Sequence, residues 1–232
     1  MFLHALACTA PSQDSAEPSD THGPVDTDTG PIDDTGWEDP LALGALSGDC
    51  PLLTEVWGDT SPQLLETALS LDSGFDEDLL SDAGTAFWEA GNLGGSSAES
   101  EVVSMEVLFG CDGAALLATE GDIPYTGDGK KGDLYVEVHG HPVLVSVTRA
   151  FHYNDPDAGI DVDRATDLLQ DKIDGVEEAA SLLDGDADRV LLHVLAYGDN
   201  DVSALQTAWS SVDAGEVLVL ITRTDGDDEA LY

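Results

Sequence analysis

Basic residues are what this sequence has least of: 7 Lys and Arg stand against 48 Asp and Glu in 232 residues, a formal net charge of −41. That balance repels nucleic-acid backbones and anionic lipid surfaces, because contact would bring like charges together instead of releasing counterions. Nucleic acid is therefore disfavoured as a partner, and most of the carboxylates read as a hydrated surface that keeps the chain soluble. Long apolar runs are missing as well. No stretch approaches the roughly 18 to 20 apolar residues that span a bilayer, so any membrane link has to be a lipid. Only three cysteines occur, with no CxxC or Cys/His spacing, which argues against a structural zinc site. GxSxG, HExxH, P-loop and dinucleotide glycine patterns are absent too.

What is present divides the chain into three parts. Residues 1–8 read MFLHALAC, and the end Ala5-Leu6-Ala7-Cys8 resembles a bacterial lipobox, in which small residues precede a cysteine that is diacylated. The resemblance makes Cys8 the lipidation site and places the protein in the cell envelope, anchored at the outer membrane by lipid alone. Only seven residues precede Cys8 and none is basic, so the signal peptide reads as truncated, with its true start upstream. If Cys8 is an ordinary thiol, the expectation is a cytoplasmic protein. Residues 9–45 carry nine acids and no base. They are Asp, Thr, Pro, Ser and Gly with little to bury, which predicts a disordered acidic tether. Residues 46–232 hold all seven bases and a net charge of −32, and they read as one α/β domain. Cys50 and Cys111 lie within it. They either pair as a disulfide in an oxidising compartment or remain two buried thiols.

Periodicity assigns the elements. Ser61-Pro62 followed by QLLETALSL predicts a capped helix, and Asp76 to Ala90 a weaker one interrupted by Gly84, together an amino-terminal helical layer. Asn92 to Ser97 reads as a loop, Ala98 to Cys111 as a third helix and Ala114 to Thr119 as a short strand. Asp133 to Ala150 alternates on both sides of His139-Gly140-His141 and predicts a hairpin with a type II′ turn at Gly140-His141. In that register Val138 faces Val143, Val136 faces Val145 and Leu134 faces Val147 on an apolar side. On the other side Glu137 meets Leu144, Tyr135 meets Ser146 and Asp133 meets Thr148. Asp163 is expected to cap a helix to Leu183 with Ala165, Leu168, Leu169, Ile173, Val176 and Ala180 on one stripe. A strand at Arg189 to Tyr197, a helix at Val202 to Val212 and a strand at Glu216 to Thr222 complete the order.

That order, with Asp133 opening the second strand and a polar pair in the third, resembles the core of the PD-(D/E)XK nuclease-like superfamily over about residues 98–222. The resemblance implies a mixed central sheet flanked by helices. It also implies a divalent-metal site in which an Asp and a following Glu hold the ion and a Lys two residues further orients water. Asp133 matches the first position, whereas Ser146 stands where the second carboxylate belongs and Thr148 where the Lys belongs. The chain is similar as well to an uncharacterised family marked by the run VSVTRA, here Val145 to Ala150. Its companions are Thr119-Glu120, Lys131-Gly132-Asp133, Leu168-Leu169, Lys172 and Leu192-His193-Val194. That family brings no activity with it.

Metal binding by Mg²⁺ or Ca²⁺ would need further hard oxygens, with Glu120 and Glu106 the candidates and Lys172 or Arg149 the substitutes for the missing Lys. Lys130, Lys131 and Arg149 gather near the hairpin. His139 and His141 read as turn decoration lacking a third ligand, and His193 as a hydrogen-bonded core histidine. Asp155, Asp157, Asp161 and Asp163 sit at alternate spacing, but Ile160 and Thr166 break the EF-hand pattern, leaving an irregular calcium site as the alternative. The leading expectation is thus a non-catalytic domain with a binding or assembly role and an unidentified protein or ligand partner. Its rivals are a metal-dependent hydrolase of nuclease or phosphodiesterase type and a calcium-stabilised surface module.

Overall fold

The computed structural model describes residues 41–91 and 98–232. Cys8, most of the expected tether and the Asn92–Ser97 loop lie outside them. Leu41 and Leu43 are buried and β1 (Gly44–Gly48) follows directly, so the residues from 41 to 45, expected to belong to the tether, belong to the packed domain. The other elements are α1 (Glu55–Gly58), β2 (Gln63–Leu71), α2 (Asp82–Ala90), α3 (Ala98–Asp112), β3 (Ala115–Thr119), β4 (Leu134–Val138), β5 (His141–Ala150), α4 (Val162–Leu182), β6 (Arg189–Ala196), α5 (Asp199–Trp209) and β7 (Val217–Gly226).

The α/β architecture is a seven-stranded mixed sheet in the order β1-β2-β7-β6-β5-β4-β3, flanked by helices. β3, β4 and β5 form an antiparallel meander, while β5, β6, β7 and β2 are parallel neighbours. The part from α3 to β7 has the element order expected from the sequence and is compatible with a nuclease-like core. The amino-terminal part is not as expected. Gln63–Leu71 is a strand, and β1 joins it antiparallel from Gly44↔Leu71 to Gly48↔Thr67. Its Leu, Glu and Ala residues favour a helix, but Thr67, Leu69 and Leu71 fall on one buried face at period two. Pairing with β7 along its whole length then outweighs local propensity. Ser61 caps nothing; its N–H and hydroxyl both donate to Asp59 Oδ1. The second expected helix shortens to Asp82–Ala90 after a 3₁₀ turn at Glu77–Leu79, with Ser81 as its cap.

Strand alternation sorts the core into two layers. Leu192, Val194 and Ala196 of β6 and Val217, Val219 and Ile221 of β7 pack with Ala165, Leu169, Ile173 and Val176 of α4 and Leu205 and Ala208 of α5. The opposite face carries His193, whose Nδ1 lies 2.6 Å from the Ser104 hydroxyl of α3. Buried on nearly every side, α3 shows no single apolar stripe. Asp161, not Asp163, caps α4 by accepting from the Arg164 N–H at 2.8 Å, so this helix begins two residues before the expected start. Of the expected stripe, Ala165, Leu169, Ile173 and Val176 are buried; Ala179 joins them, whereas Leu168 and Ala180 are half-buried. Cys50 and Cys111 are joined as a disulfide, tying the segment after β1 to the end of α3.

The hairpin also closes differently. His139 and Gly140 have φ of 51° and 85°, the two positive values that a type I′ turn requires, and His tolerates that region better than most residues. Val136 therefore pairs with Val143 and Leu134 with Val145. The register differs from the expected one by two residues, so every side chain keeps its face. Its consequence is local: Asp133 lies beside Ser146 and not beside Thr148.

Candidate functional site

Asp133 immediately precedes β4 and is locked to β5 through its backbone, its N–H donating to Val145 O at 2.8 Å. Gly132 before it is buried, and a Cβ there would come within 2.7 Å of Leu144 Cδ1 and 3.0 Å of Val145 O. Only a residue without a side chain lets the chain approach β5 this closely. The Gly132 N–H is in turn held by the Tyr125 hydroxyl at 2.7 Å. Asp133 Oδ2 accepts from the Val147 N–H at 2.6 Å and the Ser146 hydroxyl at 3.1 Å. Oδ1 has no protein donor among the described residues. Burial pushes the Asp133 carboxyl above the ordinary carboxylate range and Glu120 pushes it further, while the Val147 and Ser146 hydrogen bonds and Lys172 oppose the rise.

The carboxylate opens on a cleft of about 120 Å³ between the hairpin and α4, whose walls include Lys130, Lys131, Asp171 and Lys172. These are all three lysines of the chain. Among the described residues the ion pairs are made by His139, His141 and Arg223, and no lysine ammonium has a carboxylate within 4.0 Å. The Lys130 stem passes Gly175 of α4, where an added Cβ would touch its Cγ and Cδ at 4.0 and 3.9 Å. A glycine inside a 21-residue helix was the sequence signal for this approach and went unread.

Of the expected site residues, Asp133, Lys172, Ser146, Lys130 and Lys131 line the cleft, and Glu120, which does not line it, is near enough to act on the Asp133 carboxyl. Glu106 and Arg149 do not. Ser146 pairs with Leu192, on the α4 side, whereas Val147 pairs with His193, on the α3 side. Arg149 shares the parity of Val147 and so lies across the sheet from the cleft, its Nη1 donating to Leu231 O at 3.0 Å and its guanidinium 5.9 Å from the Phe151 ring centre. Glu106, on α3, accepts from the Ser81 N–H and hydroxyl at 2.9 and 2.6 Å. It serves the start of α2, and burial holds its carboxyl above the usual range. Thr148 has the parity of Ser146 but lies one pair further along β5, beside Val194.

The remaining candidates disperse. His139 Nε2 lies 3.4 Å from Asp112 and His141 Nδ1 lies 2.9 Å from Asp188, so the two rings address different carboxylates. Asp161 is committed as the α4 cap, and Asp157 offers its backbone carbonyl to Asn200. Among the described residues no group of three or more His, Cys, Asp or Glu side chains converges as a metal site. Asp155, Asp157 and Asp161 therefore do not assemble into the calcium shell weighed above. His193 is wholly buried between the Ser104 and Thr222 hydroxyls, at 2.6 and 2.7 Å, and Thr222 continues to Thr67 at 2.7 Å. Burial lowers its pKa to about 3, so the ring is neutral.

No protein-family model matches the chain, and no solved structure matches it. The chain is similar to the "AAC-rich mRNA clone AAC4 protein" of Dictyostelium discoideum, 36% identical over 104 residues, which are 45% of this chain and 15% of that protein. The chain thus matches only a minor part of that relative's length. Among the described residues no helix is long and apolar enough to cross a membrane.

Proposed function

We propose that this domain is a non-catalytic ligand-binding module with a nuclease-like core, carried by a lipid-anchored envelope protein through Cys8 and its acidic tether. The observation that carries the reading is the convergence of all three lysines on the Asp133 cleft. A divalent cation placed there would lie in a cleft lined by three lysines, of which Lys172 acts on the Asp133 carboxyl, while the position of the second carboxylate holds Ser146, whose hydroxyl donates to Asp133. The site thus sets three lysines beside Asp133 and Asp171 where the resembling superfamily sets a second metal-binding carboxylate and a single lysine. On this reading a ligand or protein partner meets the lysines, and the −32 net charge of the domain keeps nucleic acid away.

One observation favours a second reading, a metal-dependent hydrolase with a displaced site. Glu120 and Lys172 both lie close enough to shift the Asp133 carboxyl, and Mg²⁺ is often held by one or two carboxylates plus substrate phosphates. Calorimetric titration of the protein and of Asp133→Ala with Mg²⁺ and Ca²⁺ separates the two. The binding-module reading expects identical weak heats from both proteins. Saturable heat in the wild type that disappears in Asp133→Ala overturns it in favour of the hydrolase.

A further inference from the structure

We infer that the Asp133 cleft binds a small oxyanion that still carries a proton, of the hydrogenphosphate type, and discriminates against sulfate. The inference deepens the metal-free binding reading and rests on it. Lys130, Lys131 and Lys172, all the lysines of the chain, line one cleft, and among the described residues none of their ammonium groups has a carboxylate within 4.0 Å, although Arg149, Arg164 and Arg189 elsewhere are likewise without ion pairs. Three point charges on flexible stems suit a multivalent anion, since an ammonium donates from any direction and binds phosphate as a point charge.

Size limits the ligand further. About 120 Å³ is well below the several hundred Å³ of sites for drug-sized molecules, and so it suits a free ion better than a nucleotide. The walls decide which ion. Asp171 contributes a carboxylate to the cleft, and Asp133 Oδ1 is an acceptor with no protein donor among the described residues. An acceptor-only oxygen repels a fully deprotonated anion such as sulfate but receives a hydrogen bond from a P–OH group. Neither the Ser146 hydroxyl nor the Val147 N–H competes for Oδ1, because both donate to Oδ2.

The test is calorimetric titration of the full chain at neutral pH and constant ionic strength, in a chelator, with inorganic phosphate and separately with sulfate. Saturable one-to-one binding of phosphate is expected, with sulfate at least about tenfold weaker. The double variant Lys131→Met/Lys172→Met should weaken phosphate by at least about tenfold. Asp133→Asn should bring the two anions to within about twofold of each other. Lys131 is exposed, so Lys131→Met alone, checked by circular dichroism, serves if the double variant misfolds, and phosphate binding unaffected by it overturns the inference. Equal affinity for the two anions overturns it as well. No saturable heat with or without Mg²⁺ overturns this inference alone, whereas phosphate binding that appears only with Mg²⁺ overturns the metal-free reading too.

Discussion

Two polar clusters of this domain lie on opposite faces of one sheet and differ in whether their groups have partners. On the α3 face, Ser104, His193, Thr222 and Thr67 form a continuous chain of hydrogen bonds between 2.6 and 2.7 Å, every member buried. On the α4 face, Asp133 keeps one oxygen without a protein donor and three lysines lack ion pairs among the described residues. A buried network that satisfies itself is explained by stability, because each orphaned member would carry a desolvation cost. Unpaired charges around an open cleft contribute little to folding and are available to a ligand. The contrast assigns the histidine to the core and the lysines to the site.

If that division holds, disturbing the α3 face costs stability and disturbing the cleft costs binding. The largest effect should come from the disulfide. With 61 residues of separation between Cys50 and Cys111, reduction should lower unfolding free energy by about 4 kcal/mol, read as the shift of a urea transition with and without reductant. His193→Leu comes next. It leaves the Ser104 and Thr222 hydroxyls buried without their shared partner and should cost about 3 kcal/mol in the same assay.

The pH dependence sharpens the same point. The His193 pKa of about 3 in the fold, against an ordinary 6.5, means that between those values the unfolded chain binds a proton that the native ring refuses. Stability from His193 is thus full above pH 6.5 and falls as the pH drops toward 3. Glu106 and Asp112 act oppositely. Burial raises their carboxyls, so the folded chain takes up protons first, and their contribution declines as pH rises through the folded values. His193→Leu should remove the histidine slope from a stability profile and keep the carboxylate one; an unchanged slope would place the titration elsewhere.

Much of the fold from α3 onward was legible because its signals are local. Apolar runs of strand length bounded by Asp and Gly define β6 and β7, and the 3.6-residue stripe defines α4. β2 was not legible, since QLLETALSL suits a helix by composition and becomes a strand through a partner about 150 residues away. The site was partly readable. Asp133, Glu120 and Lys172 stood out in the sequence, and Arg149 could have been set aside, because three residues from Ser146 along a strand is the opposite face. What no local pattern contains is the crossing of α4 over the hairpin, which brings Lys172 to Lys131.

Two smaller effects bracket the boundary between the regions. Gly132→Ala forces a methyl against Leu144 and Val145 O; it should cost about 2 kcal/mol in urea unfolding and displace Asp133. Lys131→Met, exposed and without an ion pair among the described residues, should leave the urea midpoint within about 0.5 kcal/mol of wild type. A larger loss there would make the lysine structural and erase the contrast.

The most direct test of the central claim is electron paramagnetic resonance of free Mn²⁺ during titration of wild type and Asp133→Ala. Acidic surface residues will hold some Mn²⁺ weakly in both proteins, so the comparison between them is decisive. If the cleft is a lysine-lined binding pocket, the two free-Mn²⁺ curves superimpose. If wild type removes one further equivalent that Asp133→Ala does not, the cleft is a metal centre and the account is wrong.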